Sequence, residues 1–218
     1  MEIDARYERK FRVEPHEASL AEVRAALSAQ PALFRPAYPD RLVHSLYLDT
    51  PDLQAFHANA AGLAERTKPR LRWYGPLDAP GGGRLEIKRR HGLVGTKELL
   101  ALPTGLPPGL PGRGLSLGAW CRWASAHPWL RQFPELVPTV LVQYRRSYFT
   151  SADGRLRLTL DRDLRYAPAE APRAGVLDAA TIIELKYPVT LAAGKLPALP
   201  FRLTRNSKYV IAVLNTCQ

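Results

Sequence analysis

Charged and apolar residues alternate in several short segments of this chain. The alternation is clearest in RYERKFRV, PRLRWYG, RLEIKRR, RLRLTLD and IIELKYP. Because successive side chains of a β-strand point to opposite faces, each segment predicts a strand with one charged face and one apolar face. In IIELKYP, Glu184 and Lys186 then share one face, and Ile183, Leu185 and Tyr187 share the other.

Turn residues and helix caps between these segments predict the remaining elements. We expect strands at residues 5–13, 42–48, 66–74, 84–90, 96–101, 137–150, 154–163 and 181–187, with loops at 30–41 and 167–175 and a turn at 80–83. We expect helices at residues 16–30, after the N-cap Thr50 and Pro51, at 117–133, and after the cap Asn206. Roughly eight antiparallel strands with polar residues facing one way predict an α+β, mainly antiparallel β protein: an eight-stranded closed tunnel barrel with flanking helices.

Composition supports one folded domain. The 218 residues are 46% hydrophobic, which is enough for a packed core, and we expect a single domain over residues 1–218 with a helical insert at about 103–138. The insert tryptophans Trp120, Trp123 and Trp129 are predicted to form a local core. The two distant cysteines, the lack of a signal peptide and the lack of an apolar run of about 18 residues predict a cytoplasmic protein without a transmembrane segment.

The charge balance predicts a polyanionic partner. The chain carries 31 Lys and Arg against 20 Asp and Glu, a formal net charge of +11. Such a charge favours nucleic acid, an anionic membrane surface or a phosphate-rich small molecule. The sequence contains neither a P-loop nor a dinucleotide-binding glycine motif, so those two phosphate sites are excluded.

A metal–phosphate site explains the particular mixture of charges. One charged pair is typical of a solvated strand face, but five segments with mostly basic charges favour a common ligand. Arg and Lys bind phosphate oxygens, whereas carboxylates repel them unless Mg²⁺ or Mn²⁺ lies between. The residues predicted to line the lumen are Glu8, Lys10, Arg70, Arg72, Glu86, Lys88, Lys97, Arg146, Arg157, Glu184 and Lys186. Of these, Glu184, Glu8 and Glu86 are the candidate metal ligands.

The ordered set of segments resembles a known family. RYERKFRV, HSLYLDTPDLQAF, PRLRWYG, LEIKRR, QYRRSYF, RLRLTLD, IIELKYP and RNSKYVIA follow one another as in the catalytic domain of the vacuolar transporter chaperone (VTC) polyphosphate polymerases. That domain belongs to the triphosphate tunnel metalloenzymes, together with the CYTH phosphatases. The resemblance covers most of the chain and is least clear at residues 103–138.

The resemblance implies a role for each matching residue. It implies catalytic phosphate contacts from Lys10, Arg70, Arg72, Lys88, Arg146 and Arg157, and further substrate binding by Lys97, Lys186, Arg205, Ser207 and Lys208. It implies that Glu184 holds Mn²⁺ or Mg²⁺. The implied ligands are ATP and inorganic polyphosphate or triphosphate.

Three functions fit these features. The first hypothesis is a metal-dependent polymerase that transfers the ATP γ-phosphate to a polyphosphate chain. The second is a triphosphatase or polyphosphate hydrolase using the same tunnel. The third is a non-catalytic module that binds polyphosphate or RNA. Trp73 alternates with Arg72 and is predicted to face away from the charged side, which disfavours base stacking and nucleic acid. The sequence does not indicate an oligomeric state.

Overall fold

A computed structural model describes residues 6–76, 82–92, 94–102, 105–110, 114–191 and 196–217. These residues contain nine strands and four α-helices: β1 (Arg6–Val13), α1 (Leu20–Ser28), β2 (Arg35–Asp49), α2 (Gln54–Ala60), β3 (Glu65–Tyr74), β4 (Arg84–His91), β5 (Val94–Ala101), α3 (Leu117–Ser125), β6 (Val137–Thr150), β7 (Arg157–Pro168), β8 (Val176–Asp178), β9 (Thr181–Pro188) and α4 (Lys208–Thr216). The predicted strand start at residue 5 and most of the predicted turn at residues 80–83 lie outside the described residues.

The strands belong to one mainly antiparallel sheet. Their order is β1-β9-β7-β6-β2-β3-β4-β5, and β8 pairs with β7 outside this path. The pairs β1–β9, β7–β9, β2–β3, β3–β4 and β4–β5 are antiparallel. The α+β, mainly antiparallel class is therefore as predicted. Among the described strands no pairing joins β1 to β5 at the two ends of the order, so the closed tunnel barrel stays a prediction.

The first of two compact units comprises the described parts of Met1–Arg41, Tyr144–Leu164 and Asp178–Asn206. Its core consists of the apolar positions of β1, β7 and β9 together with α1. Ser19 and Glu22 form a capping box that starts α1, and Val23 and Leu27 of that helix are buried. Ile183 and Leu185 of β9 lie in this core, so the alternating charged positions of β9 occupy the opposite face.

The second unit comprises the described parts of Leu42–Gln143, Arg165–Leu177 and Ser207–Gln218. Leu71 and Trp73 of β3 are fully buried in its core, packed with Trp120 and Trp123 of α3. The Trp120 indole N–H donates a hydrogen bond to the carbonyl of Leu136 at 2.8 Å. The insert tryptophans therefore form a local core, as predicted. The single-domain organisation stays a prediction.

Three strands differ from the expected boundaries. β2 starts at Arg35, inside the region expected to be a loop because of Pro36 and Pro39. Residues 35–41 are exposed, and an exposed strand end tolerates prolines because no core ladder bond is lost there. β7 runs on to Pro168, into the loop expected at 167–175. β8 forms at Val176–Asp178, between that loop and the strand expected at 181–187, where no element was predicted. The apolar pattern of such short exposed segments is too weak to define a strand.

The start of α2 also differs from the prediction. α2 begins at Gln54 rather than at Pro51, because Leu53 adopts a left-handed conformation with φ 59°. The first N–H of the helix, from Gln54, donates to the Thr50 hydroxyl at 3.1 Å. The carboxylate of Asp49 accepts the next two, from Ala55 at 2.8 Å and Phe56 at 2.9 Å.

Two further helix predictions need correction. The cap of α4 is Ser207, not Asn206, since the Ser207 side chain accepts from the Val210 N–H. The expected helix at 117–133 divides into α3 and a 3₁₀ turn at Leu130–Gln132. Neighbouring polar residues compete as caps, and tertiary contacts decide between them.

Replacing Trp73 tests the core of the second unit. The Trp73 ring is fully buried and stacks on His44 with centroids 5.2 Å apart. We expect Trp73→Ala to lower the free energy of unfolding by about 3–5 kcal/mol in urea denaturation, since it leaves a large cavity. Leu177→Ala, at a side chain that is 74% exposed, is the control and should change it by less than about 0.5 kcal/mol. Equal unfolding midpoints for the two variants would contradict this core.

Candidate functional site

Two rows of polar residues cross β1, β9 and β7 in the first unit, on the face opposite its core. The residues of each row are direct cross-strand partners, so their side chains share that face. Arg146 and Asp161 contact these rows from β6 and β7, and we call the whole set the β9 cluster. The two rows are Glu8, Lys186 and Arg157, and Lys10, Glu184 and Thr159.

Arg146 is fixed in the β9 cluster by a buried bidentate ion pair. Its Nε and Nη2 donate to the two carboxylate oxygens of Asp161 at 2.5 and 2.6 Å. Burial alone would lower the pKa of Arg146, but the charges of Asp161 and Glu184 raise it well above its usual value. The guanidinium therefore stays charged and held in one orientation.

Glu184 is held more loosely than Asp161. Its Oε1 lies 3.5 Å from Lys10 Nζ, and its Oε2 lies 3.5 Å from Arg146 Nη2. Lys10 Nζ also donates to the Asn206 carbonyl at 3.1 Å and lies 3.9 Å from Glu8. Glu184 is thus a buried carboxylate between two cations at distances longer than strong charge-assisted bonds.

Two further groups of the β9 cluster are poorly compensated. Burial lowers the pKa of Lys186, although Glu184 and Glu8 favour its charged form. The Thr159 hydroxyl is buried, and within the described part of the chain it has no hydrogen-bond partner. A buried polar atom without a partner is costly, so this hydroxyl leaves one hydrogen bond unmade beside Glu184.

A second charged set lies on β2, β3 and β4 of the second unit, and we call it the β3 cluster. Glu86 Oε2 accepts from Arg70 Nε and Nη2 at 2.9 and 2.6 Å, and lies 3.3 Å from Arg72 Nη1. Arg70 Nη1 also donates to Tyr47 Oη at 3.0 Å, and Arg72 donates twice to Ser45 Oγ. One carboxylate therefore holds two arginines, and the set keeps an excess of positive charge.

The positive charges of Arg70 and Arg72 lower the pKa values of two neighbouring side chains. Burial would raise the pKa of Glu86, but the charges of Arg70 and Arg72 outweigh it and hold the pKa at about 2. Burial would likewise raise the pKa of Tyr47, but the same two arginines lower it below its usual value. Glu86 thus stays ionised across the physiological range.

A row of lysines extends the β3 cluster. Lys68, Lys88 and Lys97 lie directly opposite one another on β3, β4 and β5. Like charges on directly opposed positions are unfavourable. An anion with several charges would relieve this repulsion.

The last helix lies against the Tyr47 end of the β3 cluster. The rings of Tyr209 in α4 and Tyr47 stack with centroids 4.9 Å apart, and the Tyr209 hydroxyl donates to Asp49. Lys208, the first residue of α4, is buried. The Ser207 hydroxyl caps α4 by accepting a hydrogen bond from the Val210 N–H. Arg205 belongs to the first unit and is exposed.

The structure brings the predicted residues together within each unit. Glu8, Lys10, Arg146, Arg157, Glu184 and Lys186 meet in the β9 cluster, and Arg70, Arg72, Glu86, Lys88 and Lys97 meet in or beside the β3 cluster. Arg157 and Lys97 are exposed. The prediction that all of them line one lumen stays a prediction.

Sequence reasoning missed several partners. Thr159 and Asp161 continue the alternation of RLRLTLD two and four positions after Arg157. Ser45 and Tyr47 alternate in HSLYLD in the same way. Extending each alternation past its last basic residue would have found all four. A pattern restricted to Arg, Lys and Glu ends before it reaches these residues.

The β9 cluster offers two kinds of oxygen donor that suit a hard divalent cation. Glu184 lies directly opposite Thr159, and carboxylate and hydroxyl oxygens suit Mg²⁺ or Mn²⁺. In the described part of the chain no three His, Cys, Asp or Glu residues come together as a metal site. A cation there would need oxygens from a substrate as well, which is usual for Mg²⁺ bound with phosphates.

The comparison with family models decides the classification. The VTC domain matches residues 5–106 and 122–216, most of the chain. The chain belongs to the VTC domain family. The unmatched residues 107–121 fall within the insert that the sequence also marks as the least clear part. No curated protein matches the sequence.

Solved structures of triphosphate tunnel, CYTH-like proteins share the fold of this VTC domain protein. HpAC1 from Hippeastrum, a proposed adenylyl cyclase described with a dominant triphosphatase activity, is 16% identical, with 97% of this chain and 96% of that chain covered and a TM-score of 0.55. PH1819 from Pyrococcus horikoshii is 10% identical, with 96% and 98% covered and a TM-score of 0.50. At these identities the likeness concerns the fold.

No helix in the described ranges has the length and apolar character needed to cross a membrane. The cytoplasmic location stays a prediction.

Glu86 should make stability depend on pH. Its folded pKa of about 2 lies below the usual 4.5, so its stabilisation is complete above pH 4.5 and is lost as the pH falls toward 2. The difference corresponds to about 3 kcal/mol of unfolding free energy. Urea denaturation between pH 2 and 6 should show a smaller decrease for Glu86→Gln than for the wild type. Glu98→Gln, at an exposed residue paired with Arg89, should keep the wild-type dependence, and parallel curves for all three proteins would contradict the assignment.

Proposed function

We propose that this VTC domain protein is a metal-dependent polyphosphate polymerase that transfers the γ-phosphate of ATP to a polyphosphate chain. The observation that carries the proposal is the pairing of Arg70 and Arg72 with the single carboxylate of Glu86. Two guanidinium groups held in place by one carboxylate keep a net positive charge in a fixed position. Such a fixed fork matches the oxygens of a phosphate chain.

Phosphate binding would be divided among several residue types. Arg70, Arg72, Lys88 and Lys97 of the second unit are proposed to bind one stretch of phosphate, and Lys10, Arg146, Arg157 and Lys186 of the first unit another. Arg205, Ser207 and Lys208, which precede or begin α4, are proposed as further substrate contacts. The buried arginines would orient phosphate oxygens, and the exposed Lys97 and Arg157 would attract the polyanion from solution.

The metal site is proposed at Glu184, with Glu8 and Thr159 near it. When bound, Mn²⁺ or Mg²⁺ would neutralise charge on the phosphate oxygens. Glu184 fits because its ion pairs are long and the hydroxyl opposite it lacks a partner among the described residues. Glu86, also predicted as a metal ligand, is proposed instead to hold Arg70 and Arg72.

The chemistry needs little from the protein beyond positioning and charge. A terminal oxygen of the chain forms a bond to the γ-phosphorus of ATP, the bond from that phosphorus to the β–γ bridging oxygen breaks, and ADP leaves. The attacking oxygen is already ionised, so no general base is required. Arg and Lys would align the reacting groups and stabilise the charge of the transition state.

Hydrolysis of triphosphate is the second candidate, because HpAC1, with the same fold, is described with a dominant triphosphatase activity. The same bound phosphates would then be attacked by water. A non-catalytic polyphosphate- or RNA-binding role is the third. The products of incubation separate these three functions.

A product assay tests the proposed polymerase. The purified protein is incubated with ATP and Mn²⁺, and the products are separated on a polyphosphate gel. We expect a ladder of long chains with release of ADP. Free phosphate without chains would establish the hydrolase, and unchanged ATP would contradict both enzymes.

A matched pair of arginine variants adds the structural control. Arg72→Ala should weaken binding and chain formation together, because it removes a fork of the β3 cluster. Arg89→Ala removes the same charge from a neighbouring strand, but Arg89 alternates with Lys88 and pairs with Glu98 on the other face. It should stay active. Equal losses for the two variants would mean that net charge, and not the β3 cluster, determines activity.

Glu184→Gln tests the metal assignment. The substitution keeps the side-chain size but removes the carboxylate charge, so the rate of phosphate transfer should fall by orders of magnitude. Binding of tripolyphosphate without metal should persist or strengthen, because a negative charge has been removed from the cluster. Rates are measured against Mn²⁺ concentration for the wild type and the variant. Superimposable curves would exclude Glu184 as a metal ligand.

A further inference from the structure

An aromatic group with a bound guanidinium lies on the first unit. The rings of Tyr38 in β2 and Tyr148 in β6 meet edge to face, with centroids 5.7 Å apart and planes at 90°. The guanidinium carbon of Arg41 lies 5.2 Å from the Tyr38 centroid and 5.6 Å from the Tyr148 centroid. We call these three residues the tyrosine ledge. Tyr38 is 58% exposed, so a large aromatic surface is held in place at the solvent boundary.

The tyrosine ledge adjoins the β9 cluster. Tyr148 lies two residues after Arg146 on β6, so the two side chains share a face of that strand. The guanidinium carbon of Arg146 lies 6.0 Å from the Tyr148 centroid. Arg146 is fixed by Asp161 and lies 3.5 Å from Glu184. Tyr148 of the ledge therefore neighbours a residue that is proposed to bind phosphate.

The tyrosine ledge is not needed to hold the exposed end of β2 in place. Asp40, between Tyr38 and Arg41, already pairs with Arg162 at 2.7 Å and lies 4.0 Å from Arg24. Arg162 also donates to Ser147 of β6 at 3.1 Å. The end of β2 is therefore anchored by polar contacts, and the ring pair with its guanidinium is an additional feature.

We propose that the tyrosine ledge binds the nucleobase of the nucleoside triphosphate whose phosphates bind the β9 cluster. The proposal rests on the proposed function, because it assigns a place to the part of the substrate that is not transferred. Aromatic rings and guanidinium planes stack on the π-face that every base presents. Stacking of this kind is tolerant of base identity, so the ledge favours nucleotides over plain polyphosphate without selecting adenine strongly.

Binding measurements with two kinds of ligand test the ledge. Isothermal titration calorimetry without added metal compares ATP and GTP, which carry a base, with tripolyphosphate, which carries none. Tyr38→Ala should weaken binding of both nucleotides by about tenfold, the typical effect of removing one stacking ring. It should leave tripolyphosphate binding unchanged.

Two further variants separate stacking from other effects. Tyr38→Phe keeps the ring and should bind all three ligands as the wild type does. Arg41→Lys keeps the charge but loses the planar fork, so it should weaken nucleotide binding while tripolyphosphate binding persists. Melting curves without ligand confirm that each variant is folded, which the exposure of Tyr38 favours.

Each outcome gives a decision. If wild type binds both kinds of ligand and Tyr38→Ala changes neither, or weakens both equally, the ledge does not bind a base and the proposed function still stands. If wild type binds neither, the proposed function fails and the ledge fails with it.

Discussion

Positive charge concentrated on the polar faces of the sheet is the constraint on which this structure depends. Arg146 and Arg72 are largely buried, and Lys68, Lys88 and Lys97 oppose one another directly across three strands. Burying unpaired charge is costly, so each buried guanidinium needs a partner within the protein. The apolar faces of the strands must instead be shielded from water, and α1 covers them in one unit and α3 in the other.

The carboxylates solve this problem in two different ways. Asp161 and Glu86 bind their arginines at hydrogen-bond distances and leave them charged but immobile. Glu184 lies farther from its cations and faces a hydroxyl that has no partner in the described ranges. Close pairs preorganise a binding surface because they hold the guanidinium groups in one orientation.

Much of the strand pattern could be predicted because a period of two is a local property. Ile183, Leu185, Leu71 and Trp73 are buried as the alternation indicates, and their charged neighbours occupy the other face. Pairing across strands is not local: Asp161 lies 15 positions from Arg146, and the alternation does not say which cation it meets. The exposed start of β2 was missed because Pro36 and Pro39 obscure a strand that the core does not require. Asn206 and Ser207 are adjacent and both residue types cap helices, so the sequence alone does not show that Ser207 is the cap of α4.

The bond between Tyr209 and Asp49 has a consequence for how the chain reaches this structure. The two residues are 160 positions apart, and the carboxylate of Asp49 also caps α2 near the beginning of the second unit. The last pieces of the units, Asp178–Asn206 and Ser207–Gln218, come after the other segments of their units in the sequence. The pieces of the two units alternate along the chain, so neither unit is one continuous segment that can fold before the other begins. Such long separations also slow folding, because the entropy cost of closing a long loop must be met before the stabilising contacts form.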